Sequence, residues 1–174
     1  MNVALVSCTN LPEWEVDDKP LIESLKNLGA TVHLPIWNSG IDWNQFDISV
    51  IRTTWDYHSQ KEEFVQWCQS VPRLFNNANI VEWNTHKSYL HELELCGVAI
   101  AKTAWINANE QVDLENLLHQ FETDKGFIKP QVGACASDTL RFTLKNIEEA
   151  QEFLNAQLHQ DMMVQPYIES VETT

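Results

Sequence analysis

Short apolar runs alternate with amphipathic stretches between Asn2 and Phe75, and that alternation decides what the first half of the chain can fold into. Asn2 to Cys8 is a continuous apolar run, the pattern of a strand covered on both faces. Asp17-Asp18 precede Leu21, Ile22, Leu25 and Leu28, an apolar stripe at helical spacing, and Gly29 stands where a helix C-cap belongs. Thr31 to Trp37 is expected as a second strand and Asp47 to Thr53 as a third. Gln60 to Ser70, carrying Phe64, Val65, Trp67 and Cys68, reads as a helix, and Arg73-Leu74-Phe75 as a short fourth strand. Strands separated by helices at this spacing predict a parallel sheet with right-handed crossovers. The turn after the first strand, Ser7-Cys8-Thr9-Asn10-Leu11-Pro12, has no GxGxxG, which leaves a dinucleotide oxidoreductase without its fingerprint.

The second half follows a different pattern. Lys87 to Cys96 is expected as a helix stopped by Gly97, Ala101 to Ile106 as a strand, and Gln111 to Thr123 as a helix. Phe127 to Val132 and Thr139 to Leu144 read as antiparallel strands joined by a loop of small residues. A helix over 147–160 opens behind Asn146 as N-cap with acids in its first turn, and a strand over 162–168 comes last. The fold class is therefore α/β: a Rossmann-like domain over 1–84, then an α+β part over 85–174. A strand that has just begun a new layer should not close a domain, so further chain is expected beyond Thr174.

The 174 residues carry 44% hydrophobic and 21% charged residues, the proportions of a globular protein. A net charge of −14 argues against general binding to nucleic-acid backbones or anionic lipid, both of which need clustered Lys and Arg. A small anion remains admissible, because local cations and oriented amides decide there. Cys8, Cys68, Cys96 and Cys135 form no CxxC pair, so reduced thiols in a cytoplasmic setting are expected. The six histidines show no zinc spacing, and whether copies of the chain form a homo-oligomer is left open.

Lys129 ends the apolar run Gly126-Phe127-Ile128-Lys129-Pro130, directly before Gly133-Ala134-Cys135-Ala136-Ser137-Asp138-Thr139. A lysine there either snorkels to water or meets an anion. The loop favours the anion: Gly133, Ala134 and Ala136 let backbone amides point inward, and Ser137 and Thr139 add hydroxyls. The bland alternative is a plain hairpin turn. Lys87, expected at a helix start, can reach the same anion or can be a solvated surface lysine. Gln165-Pro166-Tyr167-Ile168 reads as a hinge whose freed backbone groups can pair with adenine while Tyr167, Ile168 and Met163 pack on its faces. Otherwise it is an edge strand leaving its sheet. Arg52, Thr54 and Asp56 lie in Arg52-Thr53-Thr54-Trp55-Asp56-Tyr57-His58, at the carboxyl end of the third strand, where open α/β sheets bind ligands. Arg52 suits a carboxylate and Asp56 an amine; alternatively the two pair with each other, with Trp55 in the core.

Together these segments resemble the ATP-grasp superfamily of carboxylate–amine ligases, which includes D-alanine–D-alanine ligase and glutathione synthetase. The strongest similarity is to the branch containing the cyclo-ligase of D-cycloserine biosynthesis. It rests on Leu11-Pro12-Glu13 with Asp17-Asp18, on Arg52 to His58, on Trp83-Asn84-Thr85-His86-Lys87, on the Lys129-Pro130 strand with its loop, and on Gln165-Pro166-Tyr167. The resemblance implies a pre-ATP-grasp domain followed by the first part of an ATP-grasp domain. It implies that Lys87, Lys129 and the loop from Gly133 to Thr139 contact ATP phosphates, and that Gln165, Pro166, Tyr167 and Ile168 line the adenine pocket. It further implies Mg2+ and an acylphosphate route joining a small carboxylate to an amine, with metal ligands expected beyond Thr174. The fragment alone is then expected to be inactive. The loop holds less glycine than relatives tend to have. The competing reading is a non-catalytic binding module with an acidic α/β surface.

Overall fold

The computed structural model describes residues 1–11 and 15–172, with side chains described up to Ser170; Pro12 and Glu13 of the Leu-Pro-Glu segment lie outside the described residues. The chain divides into two compact units, Met1–Thr85 and His86–Thr174.

The first unit is a parallel sheet of four strands, β1 (Asn2–Ser7), β2 (Thr31–His33), β3 (Ile48–Thr53) and β4 (Leu74–Phe75), in the order β2-β1-β3-β4. The continuous apolar run of β1 follows from its covering on both faces. Val3 and Leu5 meet Leu21, Ile22 and Leu25 of helix α1 (Lys19–Asn27). Ala4 and Val6 meet Trp37 and, from helix α2 (Lys61–Ser70), Phe64 and Cys68. Each such buried aliphatic side chain contributes about 1.5–3 kcal/mol. Burial also pushes the Cys68 thiol up to about 12, so it is an inert core group.

Two expectations for this unit need correction. The second strand stops at His33, not Trp37, because Pro35 has no N–H to donate to a ladder. The chain touches β1 again only through an isolated bridge between Ile36 and Ser7, after which Trp37 buries its ring. A helix that went unexpected, α3 (Ala78–Asn84), begins at Asn77, whose side chain accepts from the Ile80 N–H at 3.1 Å.

The second unit is an antiparallel sheet in the order β5-β8-β6-β7: β5 (Ala104–Ile106), β6 (Lys125–Pro130), β7 (Leu140–Thr143) and β8 (Met162–Pro166). Helices α5 (Leu114–Phe121) and α6 (Ile147–Gln157) cover one face, burying Leu114, Leu118, Ala150 and Leu154 against Ile106, Ile128, Phe142 and Val164. Gly126 is required in β6: a Cβ there would lie 2.6 Å from the Phe142 ring. Asn146 stands at the N-cap of α6, but its side chain reaches back to the Thr143 N–H at 2.8 Å and closes a capping box with the 3-10 turn before it. The last strand, β8, lies between β5 and β6 and is not an edge strand.

Helix α4 (Tyr89–Leu95) is shorter than the expected 87–96 and starts after Lys87, with Ser88 at its N-cap. Lys87 therefore sits in a turn, and the expectation that a helix N-terminus holds it falls away.

Candidate functional site

Strand alternation sets the site. In β6, Gly126, Ile128 and Pro130 point to the core, so Lys125, Phe127 and Lys129 share the opposite face. Register places Arg141 and Gln165 on either side of Phe127, and Met163 beside Lys129. His91 of α4 meets Trp105 of β5 at a ring distance of 6.5 Å, and Met163 is fully buried. Lys125 and Arg141 were not singled out in the sequence, although the spacing of 125, 127 and 129 in a strand already puts Lys125 on the face of Lys129.

Lys87 joins this face from its turn. Its N–H donates to the Gln131 carbonyl at 2.8 Å, and its ammonium donates to the Gly133 carbonyl at 3.0 Å. A pocket of about 190 Å³ is lined by Lys87, Phe127, Lys129, Pro130, the loop from Gly133 to Ser137, and Thr139. That volume is below the several hundred Å³ typical of whole drug-sized ligands, and suits an anionic group more than an entire nucleotide. Burial holds both lysines below the ordinary lysine range, and the charge of Lys129 depresses Lys87 further. Among the described residues neither lysine has a carboxylate in ion-pair range. Two half-buried cations that repel one another, with no acid in ion-pair range among the described residues, favour an anion beside them.

The loop is shaped by close approach and by left-handed backbone. A Cβ on Gly133 would lie 2.9 Å from Pro130 Cγ, so glycine lets the loop fold against the strand end and present its carbonyl to Lys87. Ser137 N–H donates to the Ala134 carbonyl at 3.1 Å across Cys135 (φ 53°) and Ala136 (φ 57°), the geometry of a type I′ turn. Asp138 follows at φ 50°. These are conformations glycine adopts freely, and each costs another residue about 1–2 kcal/mol. The Thr139 hydroxyl donates to the Ser137 carbonyl at 3.1 Å, so in this conformation it serves the loop and not an anion.

The hinge residues are also partly committed. Tyr167 N–H donates to the Lys125 carbonyl at 3.0 Å, and the Arg141 guanidinium lies 3.8 Å above the Tyr167 ring. The Tyr167 amide is therefore not among the freed backbone groups, and Arg141 covers one face of its ring. Gln165 Nε2 donates to Thr103 Oγ1 at 2.8 Å, Pro166 lies in register with Gly126, and Ile168 is half exposed. β5 pairs with β8 only as far as Val164, so residues 165–168 run beyond that ladder.

In the first unit the strand order reverses between β1 and β3, which places a crevice at their carboxyl ends. Thr9, after β1, and Asp56, after β3, meet across it: Thr9 Oγ1 donates to Asp56 Oδ2 at 3.4 Å, while Trp37 Nε1 donates to Oδ1 at 2.8 Å. Arg52 does not pair with Asp56. It grips Asp18 through both Nε (3.1 Å) and Nη2 (2.5 Å), and that bond raises its pKa. Asp18 is accordingly an Arg52 partner and makes no side-chain cap to α1. Thr54 is buried, and Trp55 is exposed where the sequence suggested core.

A larger groove of about 710 Å³ lies between α5 and α6. Asp113, Glu115, Glu148 and Glu152 line it, so its charge repels a polyphosphate whatever its size. No group of three or more His, Cys, Asp or Glu that could hold a metal ion occurs among the described residues.

Residues 3–76 match the family described as "D-cycloserine synthetase DcsG, N-terminal domain". Cycloserine biosynthesis protein DcsG of Streptomyces lavendulae is 27% identical over 167 residues, covering 91% of this chain and 56% of that protein. The crystal structure of D-cycloserine synthetase DcsG superposes with a TM-score of 0.86 at 27% identity, over 98% of this chain and 61% of that one. A RimK domain ATP-grasp protein from Sphaerobacter thermophilus gives 0.70 at 13% identity, covering 97% of this chain and 64% of its own. D-alanine–D-alanine ligase from Bacillus anthracis gives 0.63 at 11% identity, with 97% and 58% covered. The chain thus spans less than two thirds of the length of each of these relatives.

Proposed function

We propose that this chain, which is similar to the N-terminal portions of ATP-grasp proteins, binds the phosphates of ATP in its second unit, between Lys87, Lys129 and the Gly133–Thr139 loop. The observation that carries this reading is the pair of half-buried lysines converging on one pocket with no carboxylate in ion-pair range among the described residues. A polyphosphate would relieve both the desolvation of each ammonium and their mutual repulsion. Four of the chain's 11 Lys and Arg residues, Lys87, Lys125, Lys129 and Arg141, belong to this side of the second unit, in a protein of net charge −14, and of these Lys125 is already ion-paired with Glu169. Local charge thus selects an anion that net charge would repel.

The base would lie toward Gln165, Pro166 and Ile168, with Arg141 and Tyr167 at its edge. When bound, ATP supplies the phosphoryl group that activates a carboxylate toward an amine. The two lysines neutralise phosphate charge, and the loop's amides orient the oxygens and exclude water. At the first unit's crevice Arg52 is neutralised by Asp18, so Asp56, steadied by Trp37 and Thr9, is the substrate-facing group and suits the amine end of a small molecule. Nucleotide binding is the activity proposed for these residues.

Titration calorimetry of the chain with ATP and with inorganic tripolyphosphate tests the reading. Saturable binding of both at millimolar concentration or below is expected. If neither binds, the phosphate site does not exist and the non-catalytic module becomes the better account.

A further inference from the structure

Gln131 follows Pro130 at the end of β6, and it is 5% exposed although its side chain is polar. Its carboxamide Nε2 donates to the Met162 carbonyl at 2.8 Å and the Ile106 carbonyl at 3.3 Å, bridging the first residue of β8 and the last of β5. The peptide groups of the same residue are held as well. Its N–H donates to the Asp161 carbonyl at 2.9 Å, and its own carbonyl accepts the Lys87 N–H at 2.8 Å. Asp161 is itself fixed, since its Oδ1 accepts the Ala108 N–H at 2.8 Å.

We infer that Gln131 is a positioning residue for Lys87: its buried carboxamide, clamped across β5 and β8, fixes the carbonyl that holds Lys87 and so keeps the Lys87 ammonium beside Lys129. The inference rests on the phosphate-binding reading above. Lys87 belongs to no strand and precedes α4, so its bond to Gln131 is what ties its amide to the sheet. That tie matters because the ammonium would otherwise leave. Desolvation and the charge of Lys129 both disfavour Lys87 where it stands, and a four-carbon stem can carry the charge to water. Fixing the backbone at the stem's root limits that escape before any ligand arrives, so less ordering remains at binding. Glutamine suits the task. Its two amide hydrogens meet two carbonyls, glutamate would offer no donor when ionised, and methionine would fill the space with none.

The test is a double-mutant cycle on the whole chain, using Gln131→Met, Lys87→Met and the pair, titrated with tripolyphosphate and with adenosine. Gln131→Met is expected to weaken tripolyphosphate binding about tenfold, a loss of the size of one charge-assisted contact. Adenosine affinity should stay within about twofold, and the penalty should vanish in the Lys87→Met background. An equal loss for adenosine, or an undiminished penalty in that background, reduces Gln131 to a structural residue and overturns the inference. Amide hydrogen exchange in the unmodified chain gives an arm that no folding defect can blur. The Lys87 N–H should exchange as slowly as the amides of β6, and fast exchange overturns the inference. If the unmodified chain binds no tripolyphosphate, the nucleotide reading fails and this one with it; if binding is intact but Gln131→Met leaves it unchanged, this one fails alone.

Discussion

Lys129→Met should move stability and ligand affinity in opposite directions, and that opposition separates a ligand-binding lysine from a structural one. Lys129 is half-buried beside Lys87, has no acid partner among the described residues, and is pressed toward neutrality by desolvation. Methionine keeps the straight stem against Phe127 and Met163 and removes the charge, so the cost of holding it out of water disappears. Lys87 is relieved too, since one cause of its depression is the charge of Lys129. The unliganded chain should therefore gain stability on the order of 1 kcal/mol. In a cooperative unit of fewer than 100 residues that raises Tm by about 4–8 °C. With ATP the sign reverses. A charge-assisted hydrogen bond to phosphate contributes about 1.5–3 kcal/mol, so affinity should fall roughly 10- to 150-fold. At a ligand concentration 100 times the wild-type Kd, the unmodified chain gains about 2.7 kcal/mol, and about half to nine-tenths of that gain should be lost in the variant. Thermal melts with and without ATP read both effects. A Lys129→Met chain that melts lower without ligand, or keeps the full ATP shift, would show that the lysine supports the fold and does not serve a ligand.

Two further outcomes follow from the same geometry. Ala136→Gly should stabilise the chain by about 0.5–1 kcal/mol in urea unfolding, because the left-handed φ costs alanine more than glycine's added freedom costs the unfolded state; a loss of stability would mean that Ala136 is not left-handed in solution. ATP affinity should fall as pH rises through the depressed pKa of Lys87 and Lys129, below the usual lysine value of about 10.4, because the bound anion needs them protonated. Folding stability should change the opposite way, rising across that same window, since there the unfolded chain binds more protons than the folded one. A flat affinity profile up to about pH 10 would remove the lysines from the binding reaction.

The parallel layer was legible because a strand covered on both faces must be apolar throughout, and β1 is. What the sequence hid there were events decided by single residues. Pro35 truncates β2 by withholding one N–H, and Asn77 starts α3 with one side-chain oxygen. In the second unit the order of strands could not be read, because β8 comes last in the chain yet inserts between β5 and β6. Its central place changes the meaning of Pro166, which ends a ladder instead of leaving an edge. Lys87, Lys129 and the small loop were legible as one group, but their commitments to each other were not. Gly133 carries its carbonyl to Lys87, Thr139 spends its hydroxyl on Ser137, and Gln131 has no pattern of its own in the sequence. At the carboxyl end of β3 the sequence left Arg52 and Asp56 open between substrate contacts and a pair with each other. Fixing Arg52 on Asp18 and Asp56 on Trp37 took partners 34 and 19 residues away.

Those two commitments bear on what each unit can select. Arg52 is already gripped by both oxygens of Asp18, and recruiting it to an external carboxylate would break two charge-assisted bonds to form at most two. The exchange offers no net gain unless Asp18 finds another cation. Lys87 is held more lightly, by a neutral carbonyl at 3.0 Å, and a phosphate oxygen is a stronger acceptor than a carbonyl. Exchange therefore runs downhill at Lys87 and stalls at Arg52. By this reasoning the anion is proposed to go to Lys87 and Lys129, which among the described residues have no carboxylate in ion-pair range. At the first unit's crevice Asp56 is bonded to the neutral donors Trp37 and Thr9, which supports the proposal that it meets an ammonium and not a carboxylate.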